Sequence, residues 1–160
     1  MKRHSSNLGP LDVLISSPKN DRIAILEYRG EVPFGPPYFA LWIEHQGNFV
    51  GPSVMDFYGD KAFWSPDGRY LALERWFSLK APDNCLLILD LILARQCLAA
   101  RLRMKFLQDV IWHSTESESH RLITYHAKWF GENGESLRTA TKLVIDDRLD
   151  WTPANWLTEF

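Results

Sequence analysis

Three histidines, His113, His120 and His126, fall within one short stretch, with Glu116 and Glu118 between them. Imidazoles beside carboxylates are the side chains that hold a transition metal or pass protons in acid–base catalysis. Their spacing argues against both roles. It matches no metal-ligand motif, and on an extended strand His120 and His126 face the same way but stand about 20 Å apart, too far to share one ion. Ser65 and Ser114 lack the strand-to-helix elbow that exposes a nucleophile, and no glycine-rich loop opens a helix to cradle phosphate. Cys85 and Cys97, the only cysteines, have no pair of histidines nearby to complete a zinc site. If the chain reverses near residue 93, Cys85 faces a position near Arg101, which leaves Cys97 several residues away along the ladder and out of disulfide reach. Both read as reduced core residues. The sequence therefore predicts no catalytic residue, no metal and no cofactor. The alternative is a hydrolase or small-ligand-binding module that uses His113, His120 or His126.

Charge distribution suggests a different chemistry. Arg95, Arg101, Arg103 and Lys105 lie in a stretch, 91–108, that contains no acid, whereas residues 109–160 carry nine acids against five bases. Outward positions on solvated strands account for much of such a pattern. Beyond that, Glu116, Glu118, Asp146, Asp147 and Asp150, with Trp129 and Trp151 nearby in sequence, form a candidate face for a basic partner. Carboxylates can mimic phosphate to a nuclease-like protein, and aromatic rings supply desolvated anchors.

The elements that must position these residues are organised around Phe63 to Trp76. Pro66 presets φ for a turn, Asp67 can bond backbone two residues on, and Gly68 takes a positive φ without a Cβ penalty, so the chain reverses there. From Tyr70 onward, Tyr70, Ala72, Glu74 and Trp76 share one face and Leu71, Leu73 and Arg75 the other. Both faces are largely apolar, which predicts an inner strand covered on both sides. Further strands are expected over 23–28, 38–45, 49–50, 53–58, 85–91 and 95–103. Leu11 to Ile15 reads as an edge strand or a short helical turn. Gly30 to Pro37, with three prolines in its last five residues, reads as a stiff loop. Ala94 to Met104 has the composition of a helix, and strand is expected there because of the pattern described next.

Ser65-Pro66-Asp67-Gly68-Arg69-Tyr70-Leu71-Ala72 resembles the first hairpin of a β-propeller blade of the WD-repeat or Tol type. Leu86-Leu87-Ile88-Leu89-Asp90-Leu91 followed by Gln96-Cys97-Leu98 is similar to the third strand, turn and fourth strand of such a blade. The resemblance places Asp90 where the blade's aspartate closes the third strand, and Ile92-Leu93-Ala94-Arg95 where that family has a polar, glycine-containing turn. It covers about forty residues. A weaker copy follows: Trp64 recurs as Trp112, Arg69-Tyr70-Leu71 as Arg121-Leu122-Ile123, and Leu87-Ile88-Leu89-Asp90 as Leu143-Val144-Ile145-Asp146, at offsets of 48, 52 and 56 residues. Three such units are fewer than a closed ring needs. The expected fold is all-β: open antiparallel blade-like sheets, a partial propeller or sandwich, in one domain. Its parts are an N-terminal extension (1–22), a degenerate unit (23–60), a blade-like unit (61–105) and a second with a C-terminal tail (106–160). The apolar rings of that tail are expected to dock back on the body.

Composition bounds the rest. Hydrophobic residues make up 46% of the 160 residues and aromatics 13%, enough for a packed core and too much for a disordered chain. A net charge of −2 does not suit non-specific nucleic-acid binding. No apolar run has the length of a signal-peptide core or a membrane span, so a cytoplasmic protein without membrane or nucleic-acid partners is expected. Blade motifs specify a backbone and carry no function with them. The leading functional expectation is a non-catalytic protein-binding module, most specifically an immunity protein that occludes a basic antibacterial toxin domain. A structural subunit that associates through an open sheet edge is the further alternative.

Overall fold

The computed structural model describes residues 2–3, 8–31, 36–52, 57–78, 83–103, 105–114, 120–130 and 136–160. Strand is their predominant backbone state and helix is nearly absent. In chain order the strands are β1 (Lys2–Arg3), β2 (Val13–Ser16), β3 (Ile23–Glu31), β4 (Pro37–His45), β5 (Asn48–Val50), β6 (Phe57–Trp64), β7 (Tyr70–Trp76), β8 (Asn84–Asp90), β9 (Arg95–Arg101), β10 (Phe106–Trp112), β11 (Arg121–Phe130), β12 (Ser136–Ile145) and β13 (Trp151–Pro153). A 3-10 turn, Asn155–Thr158, follows. The fold is all-β and antiparallel throughout, with a ten-stranded sheet and a separate three-stranded sheet, β10-β11-β12.

The predicted central turn forms as its residues dictate. Gly68 sits at φ +72° and donates its N–H to the Ser65 carbonyl, while the Asp67 carboxylate accepts from the Ser65 hydroxyl and the Arg69 N–H. The hairpin sets the register of β7 against β6 and, through β7, of β8. Alternation then sorts the side chains of these inner strands. Leu71, Leu73, Leu87 and Leu89 enter one core with Ala24, Leu26, Leu41 and Ile43 of β3 and β4. Tyr70, Ala72, Leu86 and Ile88 enter another with Val110, Ile123, Tyr125 and Ala127 of the smaller sheet. Strands β7 and β8 are thus covered on both faces, and every residue of β8 is buried.

Among the described residues, the two halves of the large sheet meet at one residue pair, Phe39 with Tyr58, between β4 and β6. That narrow join lets β2–β4 share a core with the face of β7 and β8 that their own sheet continues into. The segment 94–104 is a strand over Arg95–Arg101, paired along β8; burial against β8 outweighs the helix propensity of its Ala, Leu and Arg. Cys85 lies opposite Arg101, as the turn position requires, and both cysteines are buried and free. Leu11 to Ile15 resolves into the edge strand β2. The tail does dock: β13 pairs with β9, Ala154 donates to the Ala94 carbonyl, and Leu157 is buried in the first core.

Two local expectations differ from the fold. Gly59 and Asp60 were expected to follow a short strand, yet β6 runs through them; Tyr58 pairs with Arg75 and Ala62 with Leu73, so residues 59–61 bulge out opposite Glu74 alone. Gly30 and Pro37, expected in a loop, extend β3 and β4, with a bulge at Arg29 absorbing the misfit. The expected strand 53–58 lies mostly outside the described residues. No helix among the described residues is long and apolar enough to cross a membrane.

Candidate functional site

The loops that precede β7, follow β8 and precede β13 lie at the same end of the sheet, and one buried acid ties them together. Asp90, the last residue of β8, is fully buried. Its carboxylate accepts from Arg69 (Nε 3.1 Å, Nη2 2.8 Å), from Arg95 Nε (3.1 Å) and from the backbone N–H groups of Ile92 and Leu93 (3.2 Å each). Burial works against its charge, but the bonds from Arg69, the Leu93 N–H and Arg95 outweigh it and hold the carboxyl below its ordinary value.

The turn after β8 is fixed by these bonds, with Ala94 in a left-handed conformation at φ +46°. Held in that shape, it projects Ile92 and Leu93 into solvent, at 61% and 54% exposure. A solvent-facing turn has no folding reason to carry two adjacent large aliphatic residues. The signal was present in the sequence, where Ile92-Leu93-Ala94-Arg95 replaces a polar turn, but their joint exposure depends on Asp90 and could not be read from spacing.

Beside this tip stands part of the predicted acidic face. Arg95 bonds Asp147 through Nη2 (2.8 Å) and lies over the Trp151 ring at 4.3 Å from its centroid. Asp147 is thereby oriented while 81% of its side chain stays exposed. Asp146 pairs with Arg148, whose guanidinium and N–H lower the carboxyl's pKa, and its carbonyl accepts from the Trp151 indole N–H. Trp151 and Trp112 flank Tyr70, the latter stacked at 5.9 Å. Asp150 is exposed and lines a shallow cleft of about 240 Å³ with Arg75, Gln96, Leu98 and Thr152. The fold therefore brings Asp146, Asp147, Asp150 and Trp151 together. It also offsets two of those acids with Arg95 and Arg148.

Trp129 lies elsewhere, opposite Leu137. It is eight residues along β11 from Arg121, the partner of Ile145, which is roughly 25 Å. Glu116 and Glu118 lie outside the described residues.

The histidines are dispersed into local partnerships. His113 Nε2 meets Thr124 Oγ1 at 2.7 Å, and His126 Nδ1 meets Asp109, which also accepts from Arg138 at 2.9 Å. His120 is exposed just before β11. None of the three lines the clefts at Glu74, Arg101 or Asp150, and no metal-holding group occurs among the described residues. Ser65 is buried, with its hydroxyl committed to Asp67 and the Tyr70 N–H. Comparison with protein-family models, with curated proteins and with solved structures found no significant match.

Proposed function

We propose that this protein is a non-catalytic binding module that docks a protein partner on the turn end of its central strands. The observation that carries the reading is the turn after β8: a buried, fully bonded Asp90 holds Ile92 and Leu93 exposed beside the oriented carboxylate of Asp147. Aliphatic anchors lose water on docking, worth about 1.5–3 kcal/mol for each fully buried side chain. A carboxylate already held in place pays little further ordering entropy when it meets a partner's Lys or Arg.

In its most specific form the module is a cytoplasmic immunity protein that occludes a basic antibacterial toxin domain, a task that needs complementarity and no chemistry of its own. The four-stranded meander β6–β9, flanked face to face by β3–β4 and β10–β12, supports a propeller-like reading of these units as blades. The test is capture from the native cell extract on the purified protein, followed by mass spectrometry. A single stoichiometric partner with a basic surface is expected. An empty bait, with the protein folded and monomeric, overturns the proposal.

One observation favours a second reading. Among the described strands, the ten residues of β12 pair only with β11, which leaves an edge that a second copy could extend. Mass in solution that rises with protein concentration would select self-association over a monomeric inhibitor.

A further inference from the structure

At the opposite end of β7 from the docking surface, the bulge of β6 opens a cleft of about 250 Å³. Its walls include Pro37, Trp76, Phe106 and Gln108, its rim Asp60 and Lys61, and Glu74 forms its floor. Glu74 is 5% exposed. Its Oε2 accepts the Leu107 N–H at 2.5 Å, and Asn84 and Trp76 also bond to it. All three donors are neutral, so among the described residues no bonded group balances its negative charge. The nearest cation of the rim, Lys61, lies 3.5 Å from Asp60 and is matched there.

The glycine of the bulge suits this close approach. A Cβ on Gly59 would come within 3.1 Å of the Glu74 Cβ, a contact that Glu74 would have to yield to by a few tenths of an ångström. Trp76 and Phe106, with ring centroids 5.6 Å apart, add aromatic surface of the kind that attracts cations. At 250 Å³ the space is below the roughly 300–1,000 Å³ of sites for drug-sized ligands, so its occupant is small.

We infer that this cleft binds a small organic cation, a free primary ammonium or guanidinium compound, with Glu74 as counter-ion and Trp76 and Phe106 against its alkyl stem. A metal ion fits poorly, because among the described residues only two carboxylates, Glu74 and Asp60, line the cleft, the first already accepts three hydrogen bonds and the second is paired with Lys61. The inference does not depend on the proposed docking surface. Burial pushes the Glu74 carboxyl up to about 7 against the pull of the Leu107 N–H and Asn84, with Asp60 raising it further. Of the other charged groups on the packed elements, Arg75 lies on the opposite face of β7, Asp83 precedes β8, Lys105 borders a different cleft, and Asp109 of β10 is engaged by His126 and Arg138. A bound cation needs Glu74 ionised, so binding is coupled to loss of that proton.

The test is an NMR titration of the full chain, reading the Leu107 amide and the Trp76 indole. The probes are n-butylammonium, n-butylguanidinium and, as neutral control, n-butanol. Saturable shifts are expected with both cations at pH 8, with affinity about tenfold weaker at pH 6 as Glu74 takes up its proton. Glu74→Gln, which can still accept the Leu107 N–H, should weaken cation binding at least about tenfold, and Asp60→Asn should weaken it by a smaller factor. Equal shifts with n-butanol, undiminished binding in Glu74→Gln, or no saturable shift would overturn the inference. If Glu74→Gln does not fold, the n-butanol comparison and Asp60→Asn decide it.

Discussion

Replacing Asp90 by Asn tests whether one buried carboxylate holds the turn end together. The substitution keeps an oxygen for the Ile92 and Leu93 N–H groups but removes the charge that balances Arg69 and Arg95. Breaking a buried ion pair by neutralising one member costs about 3–5 kcal/mol. Here the guanidiniums keep 26% and 20% exposure and retain water, so the lower end, about 3 kcal/mol, applies. For a chain of this length that is a fall of about 6–12 °C in Tm. Urea and thermal unfolding followed by tryptophan fluorescence would measure it. The pH dependence fixes the cause. Because the folded-state pKa of Asp90 lies below its ordinary value, its contribution is complete at neutral pH and is lost as pH falls through that lowered value. The gap between wild type and Asp90→Asn should therefore close in acid. A gap under about 0.5 kcal/mol at pH 7, within the range of an ordinary surface change, or one that persists unchanged in acid, would refute the argument.

Other consequences are simpler to check. Gly68→Ala should cost about 1 kcal/mol in urea unfolding, all of it conformational, because the added Cβ meets nothing closer than Ser17 Cβ at 3.9 Å while φ stays at +72°. Glu74 shows the reverse pH behaviour to Asp90: its raised pKa makes the folded state the stronger proton binder, so stability declines as pH rises from about 4.5 through 7. Glu74→Gln should abolish that decline, which amounts to ~3 kcal/mol at most, in pH-resolved unfolding curves. Cys85, its thiol pushed up to about 12 by burial, and Cys97, raised by burial as well, should resist a thiol reagent until urea exposes them. Reaction at native rates equal to those in urea would contradict the buried placement of both.

The parts of the fold legible in the sequence were those set by local chemistry. Pro66-Asp67-Gly68 determined a turn, the doubled apolar pattern of Tyr70 to Trp76 determined an inner strand, and the turn near residue 93 placed Cys85 opposite Arg101. Features set by contacts distant in sequence were not legible. The bulge at 59–61 exists because β6 must pass Glu74, and nothing in Gly59-Asp60 distinguishes a bulge from a strand end. The candidate site divides the same way. Asp146, Asp147, Asp150 and Trp151 are neighbours in sequence and remain so in space, whereas Trp129 is carried to the far end of β11 by the length of that strand. The arginines that temper the acids come from afar: Arg95 is 52 residues from Asp147. Glu74 was visible as an acid on an otherwise apolar face, but only packing against β10 makes it the floor of a cleft.

The most direct test of the docking surface is the affinity of the captured partner, measured by calorimetry, for wild type, the Ile92→Asp/Leu93→Asp double variant and Asp147→Lys. These side chains are exposed, so each variant should keep its stability within about 0.5 kcal/mol per substitution. Losing two buried aliphatic anchors removes at least about 3 kcal/mol, so the double variant should bind more than about a hundredfold weaker. Asp147→Lys should lose about tenfold or more against a basic partner. Unchanged affinity in both variants would contradict the account and move the recognition surface away from the turn end.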